Sequence, residues 1–168
     1  TRTAIMKFLS EHVPRHDLRE TLDEAGLSYR KEVVQVEDSV PARKAFELID
    51  SKGIYALAVV DEEGTLLANT SARNIKLAAM DKGRAAMDLD ILSYLAAVRQ
   101  AAPAQGGNER YPASHVHQDS TVGHVLNLLV KTGYHRVFVV NEELRPIGVI
   151  SQQDILRFIV EKSKQVNS

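Results

Sequence analysis

A chain of 168 residues holds one domain or two small ones, and its 44% hydrophobic, 26% charged and 5% aromatic content is that of a folded globular protein, which excludes disordered and collagen-like classes. Lysine and arginine number 21 against 22 aspartates and glutamates, a net charge of −1, so no broad basic field exists for nucleic acid or anionic lipid. Cysteine is absent, which removes disulfides, thiolate nucleophiles and Cys-ligated zinc, and fits a cytoplasmic and/or nuclear location. The longest apolar runs, Tyr55 to Val60 and Val137 to Val140, fall far short of the ~20 residues of a membrane helix. Thr1 in place of an initiating Met, with no leader-like segment behind it, reads as a fragment or a trimmed chain.

In chain order, residues 1–27 carry two helical segments, Ile5/Phe8/Leu9 and Leu18/Leu22/Ala25, separated by Pro14 and closed by Gly26. A short leading strand around Val36 precedes a helix at 40–51, in which Val40, Ala45, Phe46, Leu48 and Ile49 fall roughly at i, i+3, i+4 spacing before Gly53 stops it. Ala56 to Val60 is a short β-branched run suited to a buried strand. Asp61-Glu62-Glu63-Gly64 turns it into a second strand at 65–69, and a helix follows at 72–80. A Leu/Ala-rich helix at 89–98 is read as core, and Pro103, Gly106, Gly107 and Pro112 mark a linker at 101–114. The remaining elements repeat the first set: a leading strand with His115 and His117, a helix at 121–132 ended by Gly133, a strand from Arg136 to Val140, a turn at Asn141-Glu142-Glu143, a strand at 145–150 and a helix at 152–163.

Sliding the chain by 80 residues without a gap lays Val36 on Val116, Leu48 on Leu128, Gly53 on Gly133, Val59-Val60 on Val139-Val140, Glu62-Glu63 on Glu142-Glu143 and Ser71 on Ser151. One copy alone buries too little apolar surface to be stable, so the copies are expected to pack on each other. The fold class is α/β (α+β): two β-α-β-β-α repeats related by pseudo-twofold symmetry. Residues 1–27 form an N-terminal helical linker, 28–100 repeat 1, 101–114 a linker and 115–168 repeat 2.

Repeat 2 contains Gly148-Val149-Ile150-Ser151-Gln152-Gln153-Asp154-Ile155, a strand bearing Gly, then a Ser that opens a helix with Asp one turn in. This resembles the nucleotide-binding motif of the CBS domain. Gly133 to Val140 and Ile54 to Asp61, with the Lys7-Phe8-Leu9 and Leu89/Leu92/Ala96-Arg99 helices and the spacing between repeats, resemble the last two CBS repeats of the gamma subunit of AMP-activated protein kinase and its yeast and plant relatives. The resemblance implies a Bateman module, in which adenine nucleotide lies in the cleft between two CBS repeats and is sensed rather than transformed.

It also implies which residues hold the ligand. Ser151, as helix N-cap, suits an anion; Asp154 can accept from two vicinal ribose hydroxyls; Gly148 lets the ligand approach the backbone. Val149 forms one wall of the adenine slot, and Val34, Ile54, Tyr55 and Ala56 of repeat 1 close it. His135 and Arg136 supply positive charge for phosphate. The pseudo-symmetric pocket departs from the motif: Ala68 stands for the Gly, Asn74 for the ribose-binding Asp, and Tyr55-Ala56 for His135-Arg136, with Arg73 as partial compensation. Ser71, Arg73, Asn74 and Tyr134 form at most a weak second site, so one strong site is expected.

Plainer readings compete. Ser151 and Asp154 could simply cap a surface helix, worth ~1 kcal/mol, and His135 and Arg136 could be ordinary strand residues; the repeat, Gly148 and the basic pair together favour ligand binding. His115 and His117 face one way on a strand, as metal ligands do, yet the sequence places no third ligand, so solvent-facing histidines are preferred and no metal is expected. His12 and His16, interrupted by Pro14, are weaker still. Ser151, His135 and Asp154 include hydrolase residue types without a Gly-x-Ser-x-Gly elbow or oxyanion signature, so no enzyme is expected.

The functional expectation is a non-catalytic energy-sensing module that binds AMP, ADP or ATP, needs no other cofactor, and contacts protein kinase catalytic and scaffold subunits. The alternatives are a CBS pair that dimerises or scaffolds without sensing nucleotide, supported by Asn74 and Ala68, and a standalone CBS regulator of the stress-response type. If the chain is half of a four-repeat protein, it is expected to form a homodimer. Neither nucleic acid nor membrane is an expected partner.

Overall fold

A computed structural model describes residues 2–27, 32–79, 83–101 and 114–166. In chain order these form α1 (Arg2–His12), a 3-10 turn (Arg15–Leu18), β1 (Gln35–Glu37), α2 (Ala42–Ser51), β2 (Leu57–Val60), β3 (Leu66–Thr70), a 3-10 helix (Ala72–Ala79), α3 (Gly83–Ala86), α4 (Ile91–Ala101), β4 (His115–His117), α5 (Val122–Thr132), β5 (Arg136–Val140), β6 (Pro146–Ser151) and α6 (Gln152–Val166). The chain groups into two compact units: unit 1 takes Thr1–Glu32, His115–Glu142 and Ile147–Ser168, and unit 2 takes Val33–Ser114 with Glu143–Pro146. The architecture is α+β. Most of the expected linker at 101–114 lies outside the described residues, and among the described residues no helix is long and apolar enough to cross a membrane.

Each unit holds one three-stranded sheet, ordered β1-β2-β3 in unit 2 and β4-β5-β6 in unit 1. The first pair of each is parallel, which requires a helical crossover, supplied by α2 and α5. Val36 pairs with Val59 and Val116 with Val139, so the 80-residue repeat holds at the level of register. α5 starts where the Thr121 hydroxyl accepts the His124 N–H and stops at Gly133, whose φ of 67° suits a residue without a Cβ. It buries Val122, Val125, Leu126 and Leu129 with Met6, Leu22, Val116, Val137, Val139, Ile150 and Ile155. The unit 2 core is built around Ala45, Phe46, Ile49, Leu57, Val59, Ala68, Ile91 and Tyr94, with Phe46 and Tyr94 edge to face at 5.4 Å.

The helix starts are tied down alike. In unit 2, Ala42 N–H donates to Leu89 O and Ile91 N–H to Val40 O; in unit 1, Val122 N–H donates to Glu20 O and Leu22 N–H to Ser120 O. Those bonds flank the bridges Pro41–Asp90 and Thr21–Thr121.

The same bonds explain where the structure departs from the periodicity. The helical segment expected around Leu18, Leu22 and Ala25 is a 3-10 turn followed by one capped turn: Thr21 is held in its bridge, Thr21 N–H and Glu24 N–H each donate to the other's side chain, and Gly26 turns out at φ 64°. The helix expected at 72–80 is present through Ala79, in 3-10 form. Its Asn74 N–H bonds three residues back to Ser71 O, while the Asn74 carbonyl takes the Tyr94 hydroxyl at 2.8 Å.

Candidate functional site at two strand-to-helix corners

At the unit 1 corner β6 ends in Ser151 and α6 begins. Ser151 N–H and hydroxyl both donate to Asp154 Oδ2, at 2.8 and 2.7 Å, and Asp154 N–H donates back to Ser151 Oγ at 3.2 Å. This is a reciprocal cap that sets a carboxylate at the positive end of a 15-residue helix. Ser151 is buried and Asp154 half-buried. A carboxylate offers about four acceptor positions, and Ser151 occupies two of them on one oxygen.

Gln152 fastens the basic segment to this corner. Its backbone N–H donates to His135 O at 2.9 Å and its Nε2 to Tyr134 O at 3.0 Å, while Oε1 is buried with no hydrogen-bond partner. Tyr134, His135 and Arg136 are thereby brought beside Ser151 and Asp154, with His135 exposed and Arg136 half-buried. On β6, Val149 is half-buried and Gly148 buried; Ala68, the counterpart of Gly148, packs into the unit 2 core, so its methyl fills core space.

Asp154 also lines a shallow depression with Ala25, Leu27, Arg157, Phe158 and Glu161. Sequence reasoning missed Leu27, Arg157 and Glu161. The signal for the last two was their i+3 and i+7 spacing from Asp154, which puts them on one helix face.

The unit 2 corner repeats the plan with an amide. Asn74 Oδ1 accepts from Ser71 N–H at 2.9 Å, Thr70 Oγ1 at 3.2 Å and Ser71 Oγ at 3.4 Å. A carbonyl oxygen has two lone pairs, so this one is fully spent on its own corner. Arg73 is exposed and Ser71 and Asn74 half-buried. Val34, Ile54 and Ala56 are half-buried and Tyr55 is 69% exposed. All four belong to unit 2, whereas Tyr134, Ser151 and Asp154 belong to unit 1. Among the described residues no group of three or more His, Cys, Asp or Glu is gathered as a metal centre.

Residues 26–78 and 110–161 each match the family model of the CBS domain. The chain belongs to the CBS domain family. Curated relatives of this CBS chain include fungal proteins named SDS23: that of Scheffersomyces stipitis is 23% identical over 84% of this chain and 27% of its own length, and that of Aspergillus clavatus 26% identical over 70% and 22%. The chain thus spans about a quarter of these relatives. Solved structures share the fold at low identity. MJ1225 of Methanocaldococcus jannaschii, a proposed archaeal homologue of g-AMPK, superposes with a TM-score of 0.66 at 19% identity, covering 95% of this chain and 53% of that one. CBSX2 of Arabidopsis thaliana, solved with AMP, gives 0.59 at 19% identity over 84% and 97%.

Proposed function

We propose that this CBS pair is a non-catalytic regulatory module that binds AMP, ADP or ATP through the unit 1 corner. The carrying observation is the Ser151–Asp154 cap with Tyr134, His135 and Arg136 fastened beside it by Gln152. Asp154 is the ribose acceptor and Ser151 fixes its rotamer. Arg136, a permanent bidentate donor, and His135 meet the phosphates. AMP, ADP and ATP differ in the charge they bring to that pair, and a nucleotide shifts an equilibrium by the difference in its affinities for two states. The effector in this reading is a protein partner of the kinase catalytic or scaffold type. The adenosine ligands of structural neighbours support it: the CBS pair of MJ0100 was solved with 5'-methylthioadenosine and S-adenosyl-L-methionine, and CBSX2 with AMP.

A second reading, a pair that scaffolds without sensing, is favoured by the bonds that Asp154 spends on capping its own helix. Calorimetric titration with the three nucleotides separates them. The sensor reading predicts micromolar to sub-millimolar binding, with Arg136→Ala weakening ATP more than AMP. No heat from any of the three supports the scaffold.

A further inference from the structure

We propose that Gln152 is the positioning residue that lets the unit 1 corner tell nucleotides apart by phosphate charge, an inference that rests on the nucleotide reading above. Its side chain is 2% exposed at the first position of α6. Because Nε2 donates to Tyr134 O at 3.0 Å, the amide cannot be turned over, since an oxygen there would face an oxygen. Oε1 is therefore the buried atom left without a partner among the described residues.

Three observations separate this residue from a packing residue. First, an unpaired buried acceptor costs stability, and an unbranched side chain of similar length such as Met would fill the space without that cost, so folding alone does not call for a glutamine. Second, what the amide supplies is geometry. Tyr134 O belongs to the peptide unit between residues 134 and 135, and His135 O, which accepts the Gln152 N–H at 2.9 Å, belongs to the next. Pinning two successive peptide planes fixes the torsions of His135 between them, and β5, buried from Val137 to Val140, holds the far side of Arg136. The two basic side chains thus leave the backbone in set directions. Third, the amide and the basic pair occur together. In repeat 1 the position of Gln152 is held by Ala72, exposed and without a side-chain donor, and the positions of His135-Arg136 by Tyr55-Ala56. A basic pair held before the ligand arrives loses less freedom on binding, and the gain grows with the number of phosphates that the pair meets.

The test titrates adenosine, AMP and ATP into the full chain and into Gln152→Met, which keeps helix propensity and volume, and compares their denaturant midpoints. The expected result is an ATP affinity lowered about fivefold or more, AMP lowered less and adenosine unchanged within about twofold, with the midpoint close to the parent's. Equal losses for all three ligands, or no loss for ATP, would overturn the inference and leave the nucleotide reading standing. No binding of any of the three to the parent chain would overturn both. A second measurement needs no variant: by NMR the Gln152 side-chain amide protons are expected to exchange with solvent more slowly than those of exposed Gln153, and equal exchange would overturn the pinned geometry.

Discussion

The two strand-to-helix corners are built from the same hydroxyl residue at the same register, and they differ where the first turn carries Asp154 in one and Asn74 in the other. In unit 1 the carboxylate gives one oxygen to Ser151 and carries its negative charge at a helix N-terminus. In unit 2 a neutral amide oxygen is consumed by Thr70 and Ser71. An Asp-to-Asn change is nearly isosteric, so it leaves the turn intact while removing the acceptor capacity that a sugar diol requires. The basic pair differs in the same direction, His135-Arg136 against Tyr55-Ala56. The two repeats thus share the scaffold, while the Asp and the His-Arg pair stand in one of them alone.

Restoring the missing oxygen should narrow that contrast. Asn74→Asp adds acceptor positions at the unit 2 corner, and a second nucleotide is expected to bind at least tenfold more tightly there than in the parent chain, about 1.4 kcal/mol, read as calorimetric stoichiometry rising above one. The hairpin turns offer a smaller asymmetry. Gly64 sits at φ 83° and its counterpart Leu144 at φ 59°, so repeat 1 avoids a strain that repeat 2 bears. A Cβ at Gly64 meets Arg145 only at ordinary contact, 3.8 Å, so Gly64→Ala should cost about 1 kcal/mol by backbone strain alone, visible as a lower denaturant midpoint with unchanged slope.

Acid should separate the units, by smaller amounts. In unit 1 the folded chain favours neutral His115, so stability present above the ordinary imidazole value of 6.5 is lost as pH falls from there toward the lower folded value. In unit 2 the Ser93 N–H and hydroxyl hold the Asp90 carboxylate below its ordinary 3.8, so its contribution persists until pH falls through that range. Melting curves against pH should show the first limb vanish in His115→Gln and the second remain.

Much of this was legible in the sequence because it is local. The helices α2 and α5 follow from apolar spacing and a terminal glycine, and the hairpins from β-branched runs around acidic turns. The turn at Thr21–Gly26 departs from the expected helical segment, and the helix at 72–79 takes its 3-10 form, where distant partners act: Thr121 bridges to Thr21, and the Tyr94 hydroxyl donates to the Asn74 carbonyl. Asn74 was legible as a lost charge. That its oxygen is also spent on Thr70 required coordinates, as did the depression that Leu27 shares with Asp154.

The most direct test compares Asp154→Ala with Asn74→Ala in one calorimetric titration of AMP. A single site per chain is expected, weakened at least tenfold by Asp154→Ala and unmoved by Asn74→Ala. Binding that survives Asp154→Ala and disappears in Asn74→Ala would contradict it.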